Sequence, residues 1–276
     1  MADSRCVFID YDGTLALQGV VPPAHAEAVR RARARGHVIL LCTGRCASII
    51  APEVMALFDG VVASAGGWIR LGEELLEDQL FPDQLGRRAV EVLQSHDVPF
   101  VLETPDALVC TARSADELRS RVDPSSPAPA EGSLGRGIQD LVEAISVPED
   151  PAECSFAKIS VWGSPVRVED LAEEIGPEVG ALPNSIQDEV SSGELHLRAI
   201  DKADGVRRVA EHLGIDLSAT VGIGDGMNDL GMLRAAGTAI AIEGAPEAVL
   251  EAAEGVTVPG PLEHGIVVAF ERLGML

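Results

Sequence analysis

The sequence predicts an α/β protein: a mainly parallel sheet covered by helices on both faces, with a smaller α+β module inserted into it. Two observations predict this class. Short apolar runs of buried-strand type alternate with helical segments in the first and last thirds of the chain, as in parallel sheets hidden on both faces. Between about residues 81 and 197 that rhythm gives way to short alternating strands, so the outer parts, 1–80 and 198–276, read as one core and 81–197 as an insertion.

The elements come in this order. In "CVFIDYDGTLAL" (6–17), Val7, Phe8 and Ile9 read as a buried strand, and Gly13-Thr14 as the turn that ends it. "PPAHAEAVRRARARG" reads as a helix with Pro near its start and Gly36 at its end. "HVILLCTGR" is a second buried strand, closed by Thr43-Gly44-Arg45, and "GVVASAGG" is a third, followed by a hairpin from Trp68 to Leu76. The insertion opens with an amphipathic helix, "PDQLGRRAVEVLQSHD", then strands "FVLET" and "ALVCT". The stretch Asp123 to Gly137 is rich in Pro, Ser and Gly and reads as a mobile loop. "CSFAKISVWG" is a strand, "RVEDLAEEIG" a helix and "GELHLRAI" the last strand of the module. Alternation then resumes: helix "DKADGVRRVAEHLG", strand and loop "ATVGIGDG", helix "NDLGMLRAAG", strand "TAIAI", helix "APEAVLEAAEG", strand "VTV" and a closing helix "GIVVAFERL".

Composition narrows the possible functions. An apolar fraction of 46% is ample for a core, and a net charge of −23 offers no cationic surface for nucleic acid. Aromatics at 3% leave no stacking platform for single strands either. The five cysteines are odd in number and form no CxxC, so neither a disulfide framework nor a zinc site is indicated. Cys6 and Cys42 lie in strand patterns and read as buried small hydrophobes. "MADSR" leads straight into the first strand without a signal-peptide hydrophobic region, and no apolar run reaches the roughly 18 residues of a membrane span. A cytoplasmic location, no membrane partner, and a monomer or weak homodimer are expected.

Asp10 and Asp12 end the first strand, where repulsion and desolvation both oppose them. Turn chemistry accounts for one Asp before Gly, but less well for two. In open parallel sheets ligands sit beyond the carboxyl ends of the strands, and that rule gathers distant residues. Thr43 follows the second strand, Asp225 follows "TVGIG" within "GDGMND", Asp229 lies four residues later, and Lys202 begins the helix after the insertion. Lys202 and Lys158 are the only lysines among 21 basic residues. Lys202 therefore marks a site that wants a compact point charge. Lys158, on an alternating strand, reads as chance.

In this order the motifs resemble those of haloacid dehalogenase superfamily phosphatases of the Cof-type group, whose large α/β cap is inserted between the second and third motifs. "DYDGT" is similar to the first motif, Thr43 in "CTGR" to the second, Lys202 in "IDKADG" to the third and "GDGMND" to the fourth. Three departures stand out: "SAGGW" where Asn-Gly is usual, Lys202-Ala203 where Lys-Gly is usual, and Tyr11 between the two aspartates, expected to point into packing.

The resemblance implies a Rossmann-like core with an inserted cap. It implies a phosphatase acting on a small phosphate ester, with Asp10 as nucleophile and Asp12, partly desolvated, as proton donor and acceptor. Thr43, Gly44, Asn228 and Lys202 would cradle the phosphate. Mg²⁺ would be held by Asp10, Asp225 and the Asp12 backbone carbonyl, with Asp229 supporting it through water. Such a cation would supply the positive charge that the acidic chain lacks. Arg45 would reach the substrate or the cap, or lie on the surface. The few cap aromatics lean toward a sugar phosphate. A phosphotransferase or phosphomutase of the same superfamily is the alternative, since the core motifs do not separate the two. A receiver-type signalling module would be far shorter and would lack the second acid at Asp12.

Overall fold

A computed structural model describes residues 4–121, 129–183 and 191–276. The first five strands are β1 (Cys6–Ile9), β2 (Val38–Cys42), β3 (Gly60–Ala63), β4 (Trp68–Leu71) and β5 (Glu74–Asp78). Next come β6 (Phe100–Glu103), β7 (Leu108–Cys110), β8 (Ile145–Ser146), β9 (Lys158–Ser164), β10 (Val179–Pro183) and β11 (Ser191–Leu197). The last three are β12 (Thr220–Gly224), β13 (Thr238–Ile242) and β14 (Thr257–Val258).

These strands build two sheets. The larger has eight strands in the order β14-β13-β12-β1-β2-β3-β4-β5. From β14 to β3 every pairing is parallel, and β4 and β5 add an antiparallel hairpin at one edge. Side chains alternate in direction along each strand, so β1 and β2 feed two cores. Val7, Ile9, Ile39 and Leu41 pack with Val29, Ile266 and Phe270 on one face. Cys6, Phe8, Leu40 and Cys42 pack with Val206, Val209 and Met232 on the other. Burying each large apolar side chain contributes about 1.5–3 kcal/mol, so the continuous apolar runs favour this two-sided burial. The parallel topology also aligns the carboxyl ends of β1, β2 and β12.

The second sheet contains only strands between residues 100 and 197, in the order β10-β11-β9-β6-β7-β8. Helices Asp83–Ser95 and Val168–Ile175 cover one face of it through Val90, Leu93, Leu171 and Ile175, packed on Leu102, Ile159 and Val179. The directly opposed pairs Glu103–Lys158 and Ser160–Glu194 belong to the other face.

Several elements of this region were not read from the sequence: β8, β10 and the helices Ala112–Ser120 and Ile138–Glu143. Of the loop expected over 123–137, residues 123–128 lie outside the described residues. The remainder is irregular but tied down, because Val21 donates to the Leu134 carbonyl at 2.8 Å and Leu134 returns the bond at 3.1 Å. All five cysteines are free thiols, with Cys6 and Cys42 buried as expected. Among the described residues, no helix is long and apolar enough to cross a membrane.

Candidate active site

β1 lies parallel between β12 and β2, which brings the loops leaving these strands together. Asp10 continues β1 by one residue, its N–H donating to the Ile223 carbonyl at 2.9 Å, and is 5% exposed. Lys202, fully enclosed at the first turn of helix Lys202–Leu213, places Nζ 2.6 Å from Asp10 Oδ1 and 2.5 Å from Asp229 Oδ1. The helix start is fixed by Asp201, whose side chain accepts from the Ala203 N–H at 2.6 Å. The other oxygen of Asp229 accepts the N–H groups of Asp225 at 3.0 Å and Gly226 at 2.9 Å, so this carboxylate organises the whole "GDGMND" turn.

Asp225 takes a hydrogen bond from the Thr14 hydroxyl at 2.7 Å. Gly13 passes beside it with φ of +88°, and a Cβ there would run into the Asp225 carboxylate. Glycine at this position thus serves both a left-handed turn and a close approach. Carboxylate oxygens of Asp10, Asp225 and Asp229 can all lie within 4.8 Å of one another.

Electrostatics here are set by burial. Desolvation and then the neighbouring Asp229 push the Asp10 carboxyl well above the ordinary carboxylate range, while Lys202 pulls it back. Burial opposes the charge on Lys202, but Asp10 and Asp229 outweigh it and keep the group an ammonium ion. Asp225 is also raised, chiefly by burial, with the Thr14 hydrogen bond working against the shift. Three acids thus surround one buried lysine, an arrangement that favours further positive charge.

Thr43 and Gly44 follow β2 and line the same cavity, of about 330 Å³, as Asp10, Asp12, Arg45, Asp225 and Asn228. The loop is braced from behind by the unusual "SAGGW" stretch. Ser64 and Ala65 sit at φ of +48° and +56°, and their N–H groups donate to the carbonyls of Arg45 and Thr43 at 2.8 and 3.0 Å. Gly66 comes next with φ of +109°, closely packed on the Asp201 carbonyl. The stretch is therefore a left-handed turn that supports Thr43 on one side and the Lys202 helix on the other.

Arg45 grips Asp12 through Nε and Nη2 and lies with its guanidinium 4.8 Å from the centre of the Tyr11 ring. Tyr11 is buried, as expected, and its hydroxyl donates to the Gly19 carbonyl at 3.0 Å. Asp12 differs from expectation in its partner. Its side chain is 46% exposed, only partly removed from water, and a guanidinium partner not expected from the sequence lies against it.

Lys158 also differs from expectation. It is buried on β9 and donates to the Gly44 carbonyl at 2.8 Å, while approaching Glu194 at 3.0 Å and Glu103 at 3.3 Å. Burial opposes its charge, but the two glutamates outweigh this and raise its pKa above the ordinary lysine value. With Ser160 these residues form the side of the cavity supplied by the second sheet. The rarity of lysine in the chain was a usable signal for Lys158 as well as for Lys202. Glu103 and Glu194 carried none, being two acids among 44.

A parallel sheet whose strand ends gather three carboxylates, a threonine and a buried lysine under a second sheet is an α/β fold with its candidate site at the carboxyl rim. The chain belongs to the haloacid dehalogenase-like hydrolase family, whose model matches residues 7–270. Among curated relatives, it is 24% identical to the 5-amino-6-(5-phospho-D-ribitylamino)uracil phosphatase YwtE of Bacillus subtilis (strain 168), covering 98% of each chain. It is 30% identical to a phosphoglycolate phosphatase of Archaeoglobus fulgidus, over 70% of this chain and 90% of that one. Among solved structures, the subclass IIB sugar phosphatase BT4131 superposes with a TM-score of 0.75 at 21% identity, over 99% of this chain and 100% of the other.

Proposed function

We propose that the protein is a metal-dependent phosphatase that hydrolyses a small phosphorylated metabolite, a sugar phosphate, through an aspartyl-phosphate on Asp10. The observation that carries this reading is the Asp10–Lys202 pair at 2.6 Å. It fixes one carboxylate oxygen at the floor of the cavity and keeps a cation beside it. Among the described residues the second oxygen accepts no hydrogen bond and is available as a nucleophile. The relatives named as phosphatases support the same reaction class.

The donor set is oxygen only, which suits a hard divalent cation such as Mg²⁺. Asp10 and Asp225 would hold it with the Asp12 backbone carbonyl, and Asp229, already occupied by Lys202 and two N–H groups, would support it through water. When bound, the cation supplies the positive charge that lets a carboxylate approach a phosphate anion.

The residues divide the work. Asp10 attacks phosphorus as the bond to the leaving oxygen breaks, and Asp12, protonated and released from Arg45 when substrate enters, gives that oxygen a proton. A water then attacks the aspartyl-phosphate, Asp12 takes its proton, and the Asp10 carboxylate is restored as inorganic phosphate leaves. Thr43, the Gly44 amide, Asn228 and Lys202 hold the phosphoryl oxygens throughout. Residues 81–197 act as a cap that covers the site and limits bulk water.

Inorganic phosphate release from a panel of sugar phosphates, with Mg²⁺ and after chelation, tests the reading. Release that requires the metal, with circular dichroism unchanged on chelation, is expected. An isomerised sugar phosphate without phosphate release would point to the mutase alternative, and full activity after thorough metal removal would contradict the ligand set.

A further inference from the structure

The cavity above Asp10 has a second wall that none of the core motifs supplies. Glu103 on β6, Lys158 and Ser160 on β9, and Glu194 on β11 line it from the opposite sheet. Lys158 is committed: it donates to the Gly44 carbonyl at 2.8 Å and is shared between Glu194 and Glu103. One oxygen of Glu103 accepts the Ser160 hydroxyl at 2.6 Å. Its other oxygen, Oε2, is buried and has no hydrogen-bond partner among the described residues, although Lys158 Nζ lies 3.3 Å away. Glu103 is only 4% exposed.

A buried carboxylate oxygen left without a donor is costly, and a ligand that brings one relieves it. Two carboxylates share this wall with one ammonium that is already engaged, so the surface is net anionic. A hydroxyl or an ammonium group of a ligand would satisfy Glu103. A carboxylate or second phosphate placed there would meet like charge in a poorly solvated space. Arg45 also lines the cavity but is held by Asp12, and Arg121 lines a further cavity beyond Glu103, beside Trp162, and not the cavity above Asp10.

Resting on the phosphatase reading above, we propose that Glu103, Ser160 and Glu194, held by Lys158, form the leaving-group subsite. It accepts a neutral hydroxyl-bearing or cationic ammonium-bearing group next to the phosphate and rejects an anionic one. In this arrangement the wall selects by charge, while the core motifs perform the chemistry common to all esters.

Three esters with short leaving groups that differ in charge test this: phosphoethanolamine, glycerol 3-phosphate and phosphoglycolate, with nitrophenyl phosphate as the activated reference. For the full-length Mg²⁺-loaded enzyme, kcat/KM for the first two should exceed that for phosphoglycolate by roughly tenfold or more. In Glu103→Gln, which keeps the shape and removes the charge, the ratio should shrink several-fold. Wild-type enzyme that hydrolyses phosphoglycolate as well as glycerol 3-phosphate would overturn the subsite, whether or not the variant folds. A folded Glu103→Gln with an unchanged ratio would also overturn it. No phosphate release from any ester, nitrophenyl phosphate included, would instead overturn the phosphatase reading and the subsite with it.

Discussion

Arg45 holds both carboxylate oxygens of Asp12, with Nε 2.6 Å from Oδ2 and Nη2 2.8 Å from Oδ1. This is a two-pronged contact that only a planar guanidinium can make, and Arg45 lies over the Tyr11 ring at 4.8 Å from its centre. The residue proposed to move protons is therefore oriented by a partner 33 positions away in sequence.

Arg45→Lys keeps the charge and loses the fork. Turnover of sugar phosphates should fall roughly ten- to a hundredfold, as expected for a misplaced catalytic group. The loss should be much smaller for nitrophenyl phosphate, whose leaving group needs no proton, and Asp12→Asn should show the same contrast. Steady-state kinetics on both esters check this. Equal losses for good and poor leaving groups would mean that Arg45 binds phosphate instead of positioning Asp12.

Lys202→Met removes the cation enclosed between Asp10 and Asp229. Leaving buried charge without its partner costs about 3–5 kcal/mol. The variant should be inactive, and its unfolding midpoint should drop by roughly 6 °C or more. Thermal unfolding of the purified variant measures it. An unchanged midpoint would show that the three groups do not form a stabilising network.

His25 links the loop after β1 to the last helix. Nδ1 lies 2.8 Å from the Leu15 carbonyl, and Nε2 accepts the Ile266 N–H at 3.3 Å, which assigns the neutral tautomer with its proton on Nδ1. Burial lowers its pKa, and the Leu15 hydrogen bond only partly offsets this. The unfolded chain therefore takes up the proton first. The contribution of neutral His25 is complete above the unfolded value of about 6.5 and is lost as pH falls toward the lowered folded value. Midpoints measured from pH 8 to 5 should decline, and less steeply in a His25→Gln variant. Identical slopes would exclude His25 as a source of acid sensitivity.

The core was legible because its physics is local. Val7–Ile9 and Ile39–Leu41 are continuous apolar runs, which two-sided burial in a parallel sheet demands. The candidate site was legible because parallel topology sets the residue after each strand at one rim, so Asp10, Thr43 and Asp225 could be gathered without coordinates. The second sheet was harder. β10 ends in proline at Pro183 and, at five residues, offers little alternation to read. Lys158 on an alternating strand resembles any solvent-facing residue, and its burial comes from Gly44, Glu103 and Glu194, none of them near it in sequence. The Arg45 partner of Asp12 was not legible, because it reaches across the loop from 33 positions away.

The most direct test is phosphate release by Asp10→Asn, with circular dichroism confirming the fold. Asparagine fits the space, keeps an oxygen that can accept from Lys202 and cannot form the aspartyl-phosphate. Activity should fall by at least about a thousandfold while the structure persists. A folded Asp10→Asn enzyme that releases phosphate at a near-normal rate would contradict Asp10 as the nucleophile.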